Sequence, residues 1–327
     1  MEPDDPAGPV VHISQDRAGI LWLASETVFD LLPWGEPLRQ VRSESAILES
    51  LQGRRQSIMM AWVGFMANQE LDQPYRLACL ELHGGNQAGA YSFELPGLAG
   101  WVSCRPLGTS QHGGDLYYLS SCSQGVIARV ALADVAGHGE IVSSAAVRLR
   151  DALREHVDHW DQSMLVRQLN QSFFKGTRDS QFATAFLSSF YRESGELLFT
   201  NAGHQPPLWY RAATKEWSLL LDSTPYSKDI ADLPLGLIAG TSYNQTAVQL
   251  EVGDLLLLYT DGISESWDAS GEQLGLKRLL STARALPVGS AGAVGQGLLS
   301  AIERFRGPVP RADDETVVAL ERRGGTA

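Results

Sequence analysis

No CxxC pair, no HExxH and no long apolar run occurs in this chain, and each absence removes a class of protein. Three cysteines in 327 residues, Cys79, Cys104 and Cys122, cannot staple a disulfide scaffold, and a bridge between any two would leave one over. Reduced, packed thiols are the expectation. The missing spacings also take away the usual nitrogen and sulfur sites for zinc. With no run approaching the ~20 residues of a bilayer span, nothing reads as a transmembrane helix. Basic residues are in deficit: 26 Lys and Arg against 38 Asp and Glu leave a formal charge of −12. That balance argues against nucleic acid or an anionic membrane as partner. The opening MEPDDPAGP is acidic and Pro-rich, the reverse of a signal peptide, so the cytoplasm is the expected setting. What remains is ordinary for a globular protein, 44% hydrophobic and 20% charged, with length enough for one large core or two smaller ones.

Residues 1–9 read as a disordered tail. From residue 10 to about 92 short strand-like and helix-like pieces alternate. Ile20–Ala24 and Ile58–Met66 suit strands, and Ser45–Leu51 suits a helix ended near Gly53. The pattern predicts a small α/β regulatory module, receiver-like in outline but without a phospho-acceptor acid. His83-Gly84-Gly85-Asn86 reads as a hairpin turn between two strand-like runs.

The most informative stretch is VIARVALADVAGHG, Val126 to Gly139. An apolar strand ends abruptly in one carboxylate, Asp134; a Gly-rich turn follows; then Ile141, Ala145, Leu149 and Leu153 fall on one face of a helix. A carboxylate carried into a core needs hydrogen bonds or a cation. Taken alone, Asp134 could simply cap the next helix. Three more acids stand in comparable places: Asp115 after two glycines, Asp261 between a fully apolar strand and Gly262, and Asp313 before a last strand. Carboxylates brought together without a cation repel, and some must take up protons. Divalent ions remove that penalty, and all-oxygen ligation suits Mg²⁺ or Mn²⁺. Two such ions about 4 Å apart can hold a hydroxide for in-line attack on phosphorus. Spacing alone does not bring the four acids together; scattered turn residues are the plain alternative. His204, in a loop, reads as a hydrogen-bonded structural residue.

Six short motifs occur in order: GGDLY at Gly113–Tyr117, ADVAGHG at Ala133–Gly139, NAGHQPP at Asn201–Pro207, PLG at Pro234–Gly236, LYTDGISE at Leu258–Glu265 and DDET at Asp313–Thr316. Together they resemble the SpoIIE-like branch of the PPM (type 2C) metal-dependent serine/threonine phosphatases, over roughly the C-terminal two thirds of the chain. The resemblance implies an α+β fold, a four-layer α-β-β-α sandwich of two antiparallel sheets flanked by helices. It would occupy residues 93–322, after the small α/β module at 10–92 and before a tail at 323–327. It also implies two Mn²⁺ or Mg²⁺ ions. Asp115 would meet the first, largely through water; Asp134 would bridge both; the Val135 carbonyl would complete the first site. Asp261 and Asp313 would hold the second, the reverse choice of Asp314 over Asp313 remaining open. His138 would protonate the leaving oxygen or serve only the turn. Direct hydrolysis of phosphoserine or phosphothreonine follows, without a phosphoenzyme.

The implied partner is a phosphoprotein, a STAS-type anti-sigma-factor antagonist; dimerisation stays open. A pseudophosphatase that only binds such a protein, and a hydrolase of small phosphate esters, are the rivals. Two departures stand out: Tyr118 replaces an acid usual in the family, and Glu140–Ser144 is more polar than usual.

Overall fold

Strands whose residues alternate between two apolar faces, rather than between core and water, must be covered on both sides. That pattern governs most of this molecule. The structure, a computed structural model, describes residues 12–15, 20–24, 29–33, 79–122, 125–137, 140–159, 161–176, 181–221 and 232–324. The chain divides into two compact units, Met1–Pro74 and Tyr75–Ala327.

In the first unit β1 (His12–Gln15), β2 (Ile20–Ala24) and β3 (Phe29–Pro33) form an antiparallel sheet in that order. The strand expected at Ile20–Ala24 is β2. An antiparallel meander differs from the parallel sheet of a receiver-like fold. The elements expected at 45–51 and 58–66 lie outside the described residues.

Among the described residues the second unit holds two six-stranded sheets. One runs β13 (Thr246–Gln249), β10 (Glu196–Ala202), β9 (Ala183–Tyr191), β8 (Ile127–Val135), β7 (His112–Cys122) and β4 (Cys79–Gln87). The other runs β12 (Glu216–Leu219), β11 (Leu208–Arg211), β14 (Leu255–Tyr259), β15 (Glu315–Arg322), β6 (Leu98–Arg105) and β5 (Gly89–Leu95). Their recorded pairings are antiparallel. Helices α1 (Glu140–His156) and α2 (Gln162–Gly176) pack on the first sheet. After the short α3 (Asp261–Ser264), α4 (Gly275–Ala285) and α5 (Ala291–Arg306) pack on the second. This is the expected four-layer sandwich.

Three apolar layers result. Val130 and Leu132 of β8, Leu256 and Leu258 of β14 and Phe186 of β9 fill the space between the sheets. The intervening Ala131 and Ala133 meet Leu149 and Leu165 beneath α1 and α2, while Leu255 and Leu257 meet Leu279 and Leu298 beneath α4 and α5. Each fully buried Leu or Phe contributes roughly 1.5–3 kcal/mol. The layers therefore hold the strand ends in fixed relation.

Two expectations are corrected. His83–Asn86 is not a hairpin turn but part of β4, with His83 opposite Leu119, Gly84 opposite Tyr118 and irregular pairing on either side. Gly84 serves close packing: a Cβ there would lie 3.1 Å from a ring carbon of Tyr118. Because β4 pairs with β7 and β5 with β6, the second unit begins at Tyr75 rather than near residue 93. Cys104 and Cys122 are free and buried, and burial pushes the Cys104 thiol up to about 12. Among the described residues no helix is long and apolar enough to cross a membrane.

Candidate metal centre

The alternation that builds the core also places the acids. Tyr117 and Leu119 of β7, and Val130 and Leu132 of β8, point between the sheets. Two residues further along, with the same parity, come Asp115 on β7 and Asp134 on β8, paired directly across the ladder. On the facing sheet Leu258 is followed at this spacing by Thr260, and Val318 is preceded by Thr316. At one end, the inter-sheet layer thus changes from apolar to polar.

Asp115 is 1% exposed. Its Oδ2 accepts a hydrogen bond from Thr260 Oγ1 at 2.8 Å across the gap between the sheets, and that hydroxyl oxygen accepts the Thr316 N–H at 3.0 Å. Burial and then the Asp314 charge raise the Asp115 carboxyl well above its usual range. Asp134 is pushed up to about 10, first by burial, then by the charges of Asp115, Asp261 and Asp313. Acids from β7, β8, α3 and the loop before β15 therefore act on one another at one place. They are like charges in a poorly solvated setting, the arrangement that a cation or protons must relieve.

Asp313 and Asp314 divide their work. Asp314, 6% exposed, accepts the Leu107 N–H on Oδ1 and the Gly114 N–H on Oδ2, both at 2.6 Å. Its carboxylate is committed to the backbone around Asp115. Asp313 accepts the Asp314 N–H at 2.8 Å and acts electrostatically on Asp134 and Glu265. Gly262 makes this approach possible, because a Cβ there would stand 2.0 Å from the Asp314 carbonyl oxygen. Gly114 does likewise for Val135, whose carbonyl oxygen lies 3.0 Å from where a Gly114 Cβ would be.

Sequence reasoning missed several neighbours. Glu265, exposed at the C-terminus of α3, is raised by what burial it has and then by Asp261 and Asp313. Thr260 and Thr316 carry a signal, their inward parity at the ends of two buried strands. Tyr118 is of opposite parity to Asp115 and is packed beneath α1, so its replacement of an acid does not face the cluster. α1 begins at Glu140, within the polar stretch. His138 lies outside the described residues. His204 is 7% exposed; its Nδ1 is 2.9 Å from the Thr184 hydroxyl, its N–H donates to Asn201 Oδ1, and burial lowers its pKa to about 4. Its ring Nδ1 and its backbone N–H are both hydrogen-bonded within the fold, in keeping with the structural role expected. Thr184 in turn stands opposite Asp134.

The donor set fits a hard divalent ion: carboxylates and one backbone carbonyl, with no thiolate among them. Among the described residues no three His, Cys, Asp or Glu side chains close to ligating distance by themselves. Mg²⁺ keeps several waters, so some carboxylates can serve through that shell.

The family described as Stage II sporulation protein E (SpoIIE) matches residues 127–323. The phosphoserine phosphatase RsbU of Bacillus subtilis (strain 168) is 27% identical over 175 residues, 52% of this chain and 49% of that protein. The chain thus spans about half the length of this curated relative. Among solved structures, the PP2C phosphatase domain of SpoIIE from Bacillus subtilis, with a fragment of its regulatory domain, superposes with a TM-score of 0.60. It is 17% identical, and the match covers 84% of this chain and 77% of that one. The SiaA PP2C domain of Pseudomonas aeruginosa gives 0.57 at 18% identity, covering 68% and 85%. These two show a shared fold.

Proposed function

Because the chain belongs to the SpoIIE family, we propose that it is a metal-dependent protein phosphatase acting on phosphoserine or phosphothreonine, with a STAS-domain protein as substrate in a partner-switching pathway. What supports this most is the pairing of Asp115 with Asp134 across β7 and β8, together with the charges of Asp261 and Asp313 acting on Asp134. In this reading Asp115, Asp134 and the Val135 carbonyl hold one Mn²⁺ or Mg²⁺, and Asp134, Asp261 and Asp313 a second. When bound, the ions supply Lewis acidity to the phosphoryl oxygens and lower the pKa of the attacking water. The chain itself holds the acids in register. Thr260 fixes one Asp115 oxygen, Asp314 fixes the backbone before Asp115, and Gly262 lets α3 reach the Asp313–Asp314 segment. Hydrolysis forms one O–P bond and breaks the bond from phosphorus to the serine oxygen, which takes up a proton. We assign that proton to His138, from its place in the GHG motif. We further read the residues before Tyr75 as a regulatory module and the cytoplasm as the setting.

The test is phosphate release from a phosphoserine-bearing STAS protein with and without Mn²⁺, for wild type and Asp134→Asn. Release that needs Mn²⁺ and falls at least 100-fold in Asp134→Asn supports the proposal. Equal, metal-independent rates overturn it, and binding of the phosphoprotein without turnover favours the pseudophosphatase.

A further inference from the structure

Asn86 lies on β4, far in sequence from every acid of the cluster, and is 4% exposed. Its side-chain nitrogen carries two hydrogens, and the structure uses both. One goes to the Gly113 carbonyl at 2.8 Å; the other goes to Ser143 in the opening turns of α1, at 3.0 Å to Oγ and 3.4 Å to the carbonyl oxygen. The Gly113 carbonyl and the Gly114 N–H belong to the same peptide group, and that N–H donates to Asp314 at 2.6 Å. This peptide is therefore gripped at both ends, by Asn86 on its oxygen and by Asp314 on its nitrogen.

Between two glycines such a grip matters. Gly113 and Gly114 have no side chain to restrict φ and ψ, so the chain itself does little to fix the plane of the peptide leading into Asp115. At the same place Val142 of α1 packs against Gly114, where a Cβ would stand 2.6 Å from Val142 Cγ1 and 3.0 Å from the Val135 carbonyl oxygen. By also holding Ser143, next to Val142, the Asn86 amide draws the start of α1 onto the peptide it orients. One buried amide thus joins the backbone before Asp115 to the helix that follows Asp134 and Val135.

We infer that Asn86 is a positioning residue for the first cation site: it sets the plane of the Gly113–Gly114 peptide and the docking of α1, and so the relative placement of Asp115 and the Val135 carbonyl. The inference rests on the metal-centre proposal above and extends it to a residue that touches neither substrate nor ion. Partners that orient metal ligands from behind typically change metal affinity 10–100-fold when removed.

The experiment is calorimetric Mn²⁺ titration of the full chain, wild type against Asn86→Ala and Asn86→Asp, with amide hydrogen exchange of the metal-free proteins. Asn86→Asp keeps the shape but turns the donor into an acceptor facing two carbonyl oxygens and the Ser143 hydroxyl. Both variants are expected to bind Mn²⁺ at least 10-fold more weakly and to exchange the Gly114 amide faster, with β9 and β10 unchanged. At saturating Mn²⁺ their turnover should come back to within about fivefold of wild type. If Asn86→Ala does not fold, Ser143→Ala carries the test: it removes the hydroxyl acceptor of one of the two bonds and should weaken Mn²⁺ binding by a smaller factor. Folded variants with unchanged Mn²⁺ affinity would overturn the inference alone. A wild-type protein that binds no Mn²⁺ would overturn the metal centre and this inference with it.

Discussion

Gly262→Ala is the perturbation for which the geometry gives the sharpest number. A Cβ at this position would sit 2.0 Å from the Asp314 carbonyl oxygen and 3.4 Å from the Asp313 Cβ. An ordinary C···O contact is about 3.3–3.6 Å, so α3 and the Asp313–Asp314 segment must separate by about 1.3 Å or more. The obstacle is backbone, which cannot rotate away as a side-chain tip can. Gly262 is not in the left-handed region, so alanine meets no dihedral penalty and the whole effect is steric. Overpacking of this kind costs about 1–3 kcal/mol of stability. The larger effect falls on function, because the displaced segments carry Asp261 and Asp313. Misplacement by about 1 Å can cost 100-fold in rate. Thermal unfolding and Mn²⁺-dependent phosphate release, measured together, should show a folded protein of modestly lower Tm whose turnover has dropped about 100-fold. Wild-type turnover in Gly262→Ala would refute the claim that Asp261 and Asp313 must approach this closely.

Two further substitutions probe neighbouring contacts. Thr260→Val keeps the shape but removes the donor to Asp115 and leaves the Thr316 N–H without its acceptor. A loss of about 1–3 kcal/mol in urea unfolding is expected, with weaker Mn²⁺ binding by calorimetry, whereas unchanged values would show that the inter-sheet hydrogen bond is idle. His204 provides a pH dependence. Burial lowers its pKa to about 4, against 6.5 in an unfolded chain. Between those values the unfolded chain binds a proton that the folded chain refuses, so stability is full above pH 6.5 and declines as pH falls towards 4. About 2 kcal/mol should be gone by pH 5. His204→Gln should remove this part of the slope between pH 7 and 5, and an identical slope in wild type and variant would contradict it.

Where local pattern dictates structure, the sequence was informative. The helical spacing of Ala145, Leu149 and Leu153 after the Gly-rich turn predicts a helix there, and α1 is Glu140–His156. The apolar run Leu255–Leu258 is β14, extended by one residue. Asp134 stands at the end of β8 as its neighbours implied, with Asp115 opposite it on β7; that Asp261 and Asp313 act on Asp134 is nothing periodicity could reveal. The failures have physical causes. Gly84 and Gly85 look like a turn because glycine serves both turns and close packing; here the demand comes from Tyr118, a partner 34 residues away. The unit boundary was misplaced because β4 and β5 complete the edges of two sheets whose other strands lie later in the chain. Asn86 could not be found at all. Its partners, Gly113 and Ser143, are 27 and 57 residues distant, and no local spacing encodes such bonds.

The central claim, that four carboxylates on separate elements serve one divalent-cation centre, is tested most directly by a crystal structure of the chain with Mn²⁺, located by its anomalous scattering. Mn²⁺ peaks within about 2.0–2.5 Å of Asp134 oxygens, with Asp261 and Asp313 on one side and the Val135 carbonyl and Asp115 on the other, are predicted. Peaks only at surface carboxylates, with no Mn²⁺ at Asp134 or Asp261 in saturating Mn²⁺, would contradict it.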